Sequence, residues 1–515
     1  MTAVTFDRCL AEHAVARADD LAVFDATVGL TYGELDAKVA ALAHRLAAHG
    51  APVGARVALI ADNSAHHLVV AFAVWRAAGT LVTIYPSSTE AELRYALTAA
   101  QPSLVIAATR ILRSVVAAVD ELGVTTCELT DDGDVHGLTS RPDHGDVASV
   151  EADALALICY TSGSTANPKA VMHTHAGLLA AAIAYAEVWH LGPHDTTLVA
   201  LPLAWAFGLV TTSMATLTAG GSVLLLARSN PTDMLCNLTE HNVTFFAGVT
   251  TMFVKMLQTL EADADETIPT TLRLCISGGE PRNEDAFGRW YELTGCPVHD
   301  VYAASECFPV VTYDPVADPK PRPGCAGRVV PGAHLRLVDV DGHDVEPGTP
   351  GEAWTRGPAT TSGYWGNPEL TAATLTADGW YRTGDLVDID PDGYVHVLGR
   401  LTDLIIRGGA NVSPAEVEAV LTRHPDVREA TVVGLPDPEY GECVVAAVVL
   451  KPGVALGTTS LRQHCAQSLA GYKVPTRFVT VSELPRNAST GKVNRREVAK
   501  ALSTPDAQMN GVNPA

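Results

Sequence analysis

The sequence lacks the features of an exported or membrane-embedded protein. No apolar run approaches the roughly 18 residues that a membrane-spanning helix needs, because Arg76 and Gly79 interrupt the most apolar stretch, residues 68–85. Residues 1–10 contain no basic segment followed by an apolar one, so we expect no signal peptide. The ten cysteines include no Cys-x-x-Cys pair. This disfavours structural zinc and is typical of a reduced, cytoplasmic protein.

The sequence is also poor in basic residues. It has 35 lysines and arginines against 58 aspartates and glutamates, a net charge of −23. So acidic a surface disfavours nucleic acid and anionic membranes as partners, although a local basic pocket can still hold a small phosphate ligand. With 47% hydrophobic and 18% charged residues over 515 positions, the composition predicts a globular protein of two or three domains.

The first part of the chain alternates helical patterns with short apolar runs. A capping box at residues 31–34 opens a helix whose apolar side chains recur at helical spacing as far as Gly50. Strands are predicted at the apolar runs 56–60, 222–226, 243–246 and 272–276. This alternation predicts an α/β fold with largely parallel sheets.

Two later changes in the pattern indicate further units. Between residues 324 and 394, dense Pro-Gly and Asp-Gly turns separate short strands such as 334–338, which predicts a small β-barrel. A second capping box at 413–416, with proline at the first helical position, opens another helix. We therefore predict an N-terminal domain, residues 1–400, with two α/β sheet units plus a β-barrel. A small α+β C-terminal domain, residues 401–515, follows.

The segment Tyr160–Lys169, with the sequence YTSGSTANPK, predicts a phosphate-binding loop. It follows an apolar run, residues 154–159, that predicts a strand. Backbone N–H groups and hydroxyls donate to phosphate oxygens, glycine permits close approach, and lysine adds positive charge. An ordinary surface turn is the alternative for this composition. The candidate phosphate contacts are Thr161, Ser162, Gly163, Ser164, Thr165 and Lys169.

Four further motifs follow the loop in order. They are VYAASE at 301–306, YRTGD at 381–385, GR at 399–400 with Asp403 and Gly408-Gly409, and PRNASTGK at 485–492. Together the five resemble the motifs of the adenylate-forming superfamily, which comprises acyl-CoA synthetases, luciferases and the adenylation domains of nonribosomal peptide synthetases. The resemblance spans nearly the whole chain. It implies an AMP-forming acid–thiol ligase whose C-terminal domain is a mobile lid, with ligands bound in the cleft between domains.

The resemblance also implies a reaction and its partners. A small-molecule carboxylic acid reacts with ATP, with Mg²⁺ as cofactor, to give acyl-AMP and pyrophosphate. The acyl group then passes to a thiol, preferably that of coenzyme A. Between the two steps the lid turns about Thr402, which removes Lys492 from the site and brings Gly408 and Gly409 to it. Paired glycines leave a narrow passage for a pantetheine arm.

Individual motif residues carry specific expectations. Phosphates repel a lone carboxylate, so Glu306 is expected to bind Mg²⁺, with Thr165 as a second ligand. Asp385 and Arg400 are expected to hold the ribose; a turn-forming aspartate is the alternative. Lys492 is expected to bridge the carboxylate and the α-phosphate as charge builds at phosphorus. The catalytic set is Lys492, Lys169 and Glu306. Further nucleotide contacts are expected from Gly279, Glu280, Pro281, Asp300, Val301, Tyr302, Ala303 and Ser305.

The candidate acyl pocket is apolar, which suits an aromatic or medium aliphatic acid. No aspartate stands where peptide-synthetase relatives pair an amino group, so an α-amino acid is disfavoured. Arg282 lies shortly after Gly278 in the sequence. Its orientation decides whether a second carboxylate of the substrate has a positively charged partner. Three positions depart from the family pattern: Ala303, Ser305 and Thr402. The expected pocket residues are Trp205, Phe207, Val249, Gly278, Ala303 and Cys307.

Three alternative functions stay open from the sequence. The enzyme loads a phosphopantetheinyl carrier protein instead of coenzyme A, it activates nitrite instead of a carboxylate, or the chain is a nucleotide-binding regulator without turnover. His173 and His175 supply only two metal ligands, so we expect a structural or positioning role for them.

Overall fold

The computed structural model describes residues 5–49, 52–139, 149–161, 168–262, 268–454, 456–486 and 493–503. The chain divides into two compact units. The first comprises Met1–Leu335 and Trp354–Arg382, and the second comprises Arg336–Ala353 and Thr383–Ala515. The predicted domain boundary at residue 400 stays a prediction.

The strands are numbered in chain order. They are β1 (Leu21–Phe24), β2 (Gly29–Thr31), β3 (Arg56–Ile60), β4 (Thr80–Thr83), β5 (Leu104–Ala108), β6 (Thr125–Leu129), β7 (Val135–His136), β8 (Leu155–Thr161), β9 (Lys169–Thr174), β10 (Thr196–Val199), β11 (Ser222–Leu225), β12 (Phe245–Gly248), β13 (Leu274–Gly278), β14 (Val298–Ala304), β15 (Cys307–Thr312), β16 (Arg328–Val329), β17 (His334–Val338), β18 (Gly351–Arg356), β19 (Gly363–Tyr364), β20 (Tyr381–Ile389), β21 (Val395–Arg400), β22 (Ile405–Arg407), β23 (Ala410–Val412), β24 (Val427–Asp437), β25 (Gly441–Leu450) and β26 (Arg477–Thr480).

The helices are numbered in the same way. They are α1 (Phe6–Ala16), α2 (Tyr32–His49), α3 (Ala65–Arg76), α4 (Glu90–Ala100), α5 (Leu112–Val119), α6 (His175–Val188), α7 (Ala215–Thr218), α8 (Pro231–Glu240), α9 (Thr250–Ala262), α10 (Glu284–Thr294), α11 (Pro368–Thr374), α12 (Pro414–Thr422), α13 (Thr458–Ser468) and α14 (Arg495–Ser503). A π-helical segment spans Phe207–Met214, and 3₁₀ turns span Asp120–Leu122 and Leu401–Asp403. Within the described residues, no helix is both long enough and apolar enough to cross a bilayer.

Two mixed sheets form the framework of the first unit. The eight-stranded sheet has the order β19-β9-β8-β4-β3-β5-β6-β7, and the nine-stranded sheet has the order β16-β15-β14-β13-β12-β10-β11-β1-β2. The central strands of both sheets are parallel. The prediction of an α/β fold with largely parallel sheets is therefore confirmed, since parallel neighbours need crossover connections that helices supply.

The two sheets of the first unit share one apolar core. Leu59 and Leu157 of the eight-stranded sheet belong to the same buried cluster as Val223 and Ile276 of the nine-stranded sheet. Parallel strands covered on both faces have near-continuous apolar sequences, which is why these strands are recognisable as apolar runs. The predicted strands 56–60 and 334–338 coincide with β3 and β17, whereas β12 and β13 begin two residues later than predicted.

The remaining strands form two smaller sheets. The region predicted as a small barrel holds a four-stranded sheet in the order β17-β18-β20-β21. The second unit also contains a sheet in the order β23-β22-β25-β24, with β26 beside β25. Alternate residues of β25 enter two separate cores, Val444 and Ala446 in one, and Val445 and Ala447 in the other. This sheet is therefore covered on both faces.

The two predicted capping boxes have different outcomes. Thr31 and Glu34 exchange hydrogen bonds between side chain and backbone at the start of α2, as predicted. At the start of α12, the Ser413 hydroxyl accepts from the Glu416 backbone at 3.4 Å, but the Glu416 carboxylate lies 2.7 Å from Lys473. The second box is thus only half formed, because a charged lysine is a stronger partner for a carboxylate than a backbone N–H group.

Candidate active site

Three neighbouring parallel strands carry many of the predicted ligand-binding residues at their carboxyl ends. Gly248 of β12 lies opposite Ser277 of β13, and Gly278 lies opposite Val301 of β14. Ligands bind at this edge of parallel strands because the loops diverge there. The strand register brings together Val249, Gly278, Gly279, Val301, Tyr302 and Ala303.

An apolar wall, which we define as Trp205, Phe207, Gly278 and Val301, borders this edge. A β-carbon added to Gly278 would lie 2.6 Å from Val301 Cγ1 and 3.2 Å from Phe207 Cε1. The Phe207 ring packs edge-to-face against Trp205, with ring centroids 5.4 Å apart. The structure therefore brings together three residues predicted for the acyl pocket, and adds Val301, predicted for the nucleotide, to them.

The loop that presents Trp205 is anchored by Asn63, which the sequence analysis missed. The Asn63 side chain donates to the Leu201 carbonyl and accepts from the Leu203 backbone, both at 2.8 Å. The Thr83 hydroxyl adds a hydrogen bond to the Ala204 carbonyl at 2.9 Å. Neither Asn63 nor Thr83 belongs to a recognisable motif, so their contact with this loop emerges from the fold.

Cys307 lies in β15, and its predicted place in the acyl pocket stays a prediction. It has no exposed surface, and its thiol lies 3.4 Å from the Thr360 hydroxyl. Burial raises the pKa of the thiol. The pleat of β15 turns this side chain toward the segment around Thr360.

Arg282 is held by two carboxylates. Its Nη1 lies 2.5 Å from Asp300 Oδ2, and its Nε lies 2.8 Å from Glu284 Oε2. Burial raises the pKa of Asp300 to about 7, and the Arg282 guanidinium opposes that shift. Burial lowers the pKa of Arg282, but the two carboxylates outweigh burial and raise it. These short contacts are ion pairs, so the Arg282 guanidinium already has two carboxylate partners before a substrate binds.

Glu280 and Pro281 accept hydrogen bonds from the first residues of helix α9. The Glu280 carboxylate accepts from the backbone of Thr251 at 2.8 Å, and the Pro281 carbonyl accepts from the Thr250 hydroxyl at 2.9 Å. A carboxylate at the N-terminus of a helix is stabilised by the helix dipole and by the unpaired N–H groups. The contacts with nucleotide predicted for Glu280, Pro281 and Asp300 stay predictions.

Glu306, Tyr364 and Lys169 meet beside the predicted phosphate loop. Glu306 is 7% exposed, and its Oε1 accepts a hydrogen bond from the Tyr364 hydroxyl at 2.8 Å. Lys169 Nζ lies 5.7 Å from the centre of the Tyr364 ring, which is a cation–π contact. Thr161 lies opposite Lys169 on β8 and β9, so the two ends of the loop are adjacent. The loop residues Ser162, Gly163, Ser164 and Thr165 lie outside the described residues, as does Lys492.

His173 holds the residue that precedes Glu306. Its Nε2 lies 2.7 Å from the Ser305 carbonyl oxygen, and this nitrogen must donate because a carbonyl only accepts. Burial lowers the pKa values of His173 and His175 to about 4, so both rings are neutral at pH 7. The contact gives His173 a positioning role, which the sequence favours over metal binding.

In the second unit, Asp385 and Arg400 form an ion pair across two strands. The antiparallel register of β20 and β21 places them opposite each other, with Arg400 Nε 2.7 Å from Asp385 Oδ1. Arg400 also donates to the Thr383 carbonyl at 2.8 Å, while the Thr383 hydroxyl accepts from the Asp385 backbone. Asp385 is 5% exposed. Strand pairing thus unites the two residues predicted to hold the ribose.

Gly408 and Gly409 form the turn of a tight hairpin. Arg407 and Ala410 pair on either side, and the glycines have φ values of +60° and +83°. Both central residues of such a turn need left-handed backbone, which explains the glycine pair locally. Thr402 lies in a 3₁₀ turn. The roles predicted for these three residues in thiol passage and lid rotation stay predictions.

A group of exposed tyrosines and half-buried cationic side chains flanks this hairpin, and we call it the hairpin surface. It comprises Arg407, Tyr440, Tyr472 and Lys473. The Gly408 backbone donates to the Tyr440 carbonyl at 2.8 Å, and the Arg407 guanidinium lies 5.3 Å from the Tyr440 ring centre. Lys473 Nζ lies 5.8 Å from the Tyr472 ring centre. The two tyrosines are 44% and 43% exposed, so part of each ring is open to solvent.

Comparison with known proteins places these features in context. Two family models match the chain, AMP-binding enzyme over residues 10–365 and AMP-binding enzyme C-terminal domain over residues 416–492. A probable CoA ligase, CCL9 of Humulus lupulus, is 32% identical, covering 92% of this chain and 91% of that protein. A feruloyl-CoA synthase of Amycolatopsis sp is 34% identical, covering 92% and 94%. The crystal structure of ATP-bound MatB from Rhodopseudomonas palustris has a TM-score of 0.88 at 31% identity, covering 96% and 99%.

Proposed function

Because this chain belongs to the family of AMP-binding enzymes, we propose that it activates an aromatic or medium aliphatic monocarboxylic acid and transfers it to coenzyme A. The chain is an AMP-forming acid–thiol ligase that uses ATP. The observation that carries this conclusion is the match of both family models, in order, together with CoA-ligase relatives that align along more than nine-tenths of the chain.

The reaction has two steps. In the first, a carboxylate oxygen forms a bond to the α-phosphorus of ATP, the bond from that phosphorus to the β-bridging oxygen breaks, and pyrophosphate leaves. In the second, the thiol of coenzyme A loses its proton and its sulfur bonds to the acyl carbon, and AMP leaves. Both steps move negative charge, so the charged side chains described above are the candidates for catalysis.

We assign Glu306 to the cation of MgATP. A buried carboxylate beside Lys169 suits a hard cation that prefers oxygen ligands, whereas phosphate alone would be repelled by it. When bound, Mg²⁺ neutralises phosphate charge. Lys169 then contributes a fixed positive charge next to the phosphate loop. Lys492, outside the described residues, is assigned to bridge the acid and the α-phosphate.

We assign Asp385 and Arg400 to the ribose. The carboxylate of Asp385 is buried and held by Arg400, so its orientation is fixed before a ligand arrives. A fixed carboxylate accepts hydrogen bonds from two neighbouring hydroxyl groups without losing side-chain entropy on binding.

The apolar wall supports an aromatic or medium aliphatic acid with a single carboxylate. Trp205, Phe207 and Val301 offer flat and branched apolar surface but no charge. A second substrate carboxylate would need a cation, and the nearby Arg282 is bound to Asp300 and Glu284. The feruloyl-CoA synthase relative is named for an aromatic acid, which agrees with this assignment.

The hairpin surface supports coenzyme A as the acceptor. Coenzyme A carries an adenine ring and phosphate groups at the end remote from its thiol. Exposed tyrosine rings suit stacking on a base, and Arg407 suits phosphate, whereas Lys473 is paired with Glu416. A carrier protein brings a phosphopantetheine arm without an adenine ring, so it would make no use of the tyrosine rings of this surface.

We also place the enzyme in the cytoplasm. The ten cysteines are thiols in the structure, and most of them are buried. Disulfides are rare in that compartment, so a chain with ten thiols fits it.

A pyrophosphate-release screen tests the proposed function. The panel contains aromatic monoacids such as ferulate and benzoate, hexanoate, the dicarboxylates oxalate and malonate, β-amino acids, and nitrite. We expect the highest kcat/KM for aromatic or medium aliphatic monoacids, and thioester formation with free coenzyme A. Release driven by nitrite alone, or acyl transfer to a carrier protein but not to coenzyme A, would contradict the proposal.

A further inference from the structure

Tyr364 connects the two charged groups beside the phosphate loop. Its hydroxyl donates to Glu306 Oε1 at 2.8 Å, and its ring face lies 5.7 Å from Lys169 Nζ. The side chain is 3% exposed, so both contacts are sheltered from water. A hydrogen bond to a carboxylate is stronger in such surroundings than at a surface.

The backbone around Tyr364 is fixed on two sides. Tyr364 pairs with Val171 on β9, and its N–H donates to the Thr371 hydroxyl at 3.0 Å. The preceding residue, Gly363, has a φ of +125°, and a β-carbon there would lie 2.6 Å from Thr371. Glycine therefore lets helix α11 approach this strand closely, and the position of the tyrosine ring follows from that packing.

Glu306 is held by its backbone as well as by its side chain. The Thr361 N–H donates to the Glu306 carbonyl at 2.7 Å, and His173 donates to the carbonyl of Ser305 at 2.7 Å. These bonds fix the main chain at Glu306 but leave rotation of its side chain free. Among the residues that the structure describes, the Tyr364 hydroxyl is the contact that selects one orientation of the carboxylate.

The Tyr364 hydroxyl donates to one oxygen of Glu306 and leaves the other oxygen outside this contact.

We propose that Tyr364 is a positioning residue that holds Glu306 Oε1 and so turns Oε2 toward the cation of MgATP. The proposal rests on the proposed role of Glu306 as a ligand of that cation. Residues that orient a metal ligand from behind reduce the entropy that the ligand loses on binding, and their loss typically weakens metal affinity about 10- to 100-fold.

The substitution Tyr364→Phe removes the hydroxyl but keeps the ring above Lys169. Mn²⁺ replaces Mg²⁺ as the probe, and its affinity is measured by electron paramagnetic resonance in the presence of α,β-methylene-ATP, which prevents turnover. We expect the dissociation constant for Mn²⁺ to rise about 10-fold. The KM values for the acid and for coenzyme A should stay within about 2-fold, because the hydroxyl touches neither ligand in the proposal.

Tyr32→Phe is the matched control. The Tyr32 side chain is also buried, and its hydroxyl donates to the Gly221 carbonyl at 2.8 Å, but Tyr32 is the first residue of α2 and packs in the apolar core of the first unit. Its loss should lower stability without changing the affinity for Mn²⁺. If Tyr32→Phe and Tyr364→Phe lose Mn²⁺ affinity equally, the loss comes from lower stability in both variants, and the positioning role is wrong.

Glu306→Gln separates failure of this proposal from failure of the proposed function. If Glu306→Gln and Tyr364→Phe both weaken Mn²⁺ binding and the double variant is no weaker than Glu306→Gln, the hydroxyl acts through the carboxylate. If Glu306→Gln weakens binding and Tyr364→Phe does not, the positioning role is wrong. If Glu306→Gln leaves Mn²⁺ affinity unchanged, Glu306 is not a cation ligand, and both assignments fail together.

Discussion

Replacement of Gly278 by alanine tests whether the apolar wall receives the acyl group. The added β-carbon would lie 2.6 Å from Val301 Cγ1, 3.1 Å from the Val301 carbonyl oxygen and 3.2 Å from Phe207 Cε1. Carbon atoms in contact prefer separations of about 3.5–4.0 Å, so the Val301 side chain must move by roughly 1 Å. The strand backbone is fixed by its register with β13, so the movement falls on the side chains that form the wall.

The expected cost follows from this overlap. Overpacking of a well-packed site typically costs about 1–3 kcal/mol. The displaced side chains then occupy space that a bulky acid needs, so binding that acid must overcome the same cost of about 1–3 kcal/mol. This cost corresponds to a loss of about 5- to 150-fold in kcat/KM for that acid. Acetate needs little of this space, so its kcat/KM should change by less than about 3-fold.

The assay is pyrophosphate release with benzoate, hexanoate and acetate, compared between the wild type and Gly278→Ala. Gly288→Ala is the control, because Gly288 lies inside helix α10 and no atom would lie within 4 Å of an added β-carbon. It should leave activity unchanged and raise stability by about 0.5–1 kcal/mol. Adding Val301→Ala to Gly278→Ala should recover much of the activity with the bulky acids. Equal losses with acetate and benzoate, or no loss at all, would refute the assignment of the wall.

Three further predictions concern charged groups. Lys492→Ala should slow formation of the acyl adenylate by about 10²–10³, while attack of coenzyme A on preformed adenylate stays largely intact. Rapid-quench measurement of the two steps tests this prediction, and equal losses in both steps would contradict the bridging role. Arg400→Gln should raise the KM for ATP by about 10-fold or more and leave the KM for the acid unchanged, because the substitution frees the Asp385 carboxylate to rotate. Steady-state kinetics with each substrate varied tests this prediction, and a change in the KM for the acid alone would contradict it. His175 is neutral in the fold down to about pH 4, whereas the unfolded chain binds its proton below about 6.5. The free energy of unfolding should therefore fall as the pH drops from 6.5 to 4, by about 1.4 kcal/mol per pH unit for this residue. His173 adds a similar dependence, so His175→Gln should reduce the total slope by this one share in urea unfolding at pH 7, 6 and 5.

The family and the fold class could be read from local patterns. The five ordered motifs place hydroxyls, glycines, carboxylates and lysines at fixed spacings, and adenylate chemistry needs those groups. The first capping box formed as predicted because Thr31 and Glu34 are each other's nearest partners. The second failed in part because Lys473, far along the chain, reaches Glu416 in the fold.

The sequence named candidate site residues, but it did not show which side chains hold them in the fold. Asp385 and Arg400 were both expected at the ribose, and the strand register joins them as a pair. Arg282 could not be oriented from sequence, and the fold pairs it with Asp300. Cys307 was expected in the acyl pocket, and in the fold its thiol is buried beside Thr360.

Local propensity and spacing were enough for the alternation of strands and helices, the identity of the motifs and the overall chemistry, because each depends on neighbours within about one helical turn. The fold alone selected Asn63 as the anchor of the Trp205 loop and Tyr364 as the partner of Glu306. Neither residue has a motif of its own. The physical reason is that every buried donor competes for acceptors over the whole folded chain, and the outcome depends on which groups packing brings within about 3 Å.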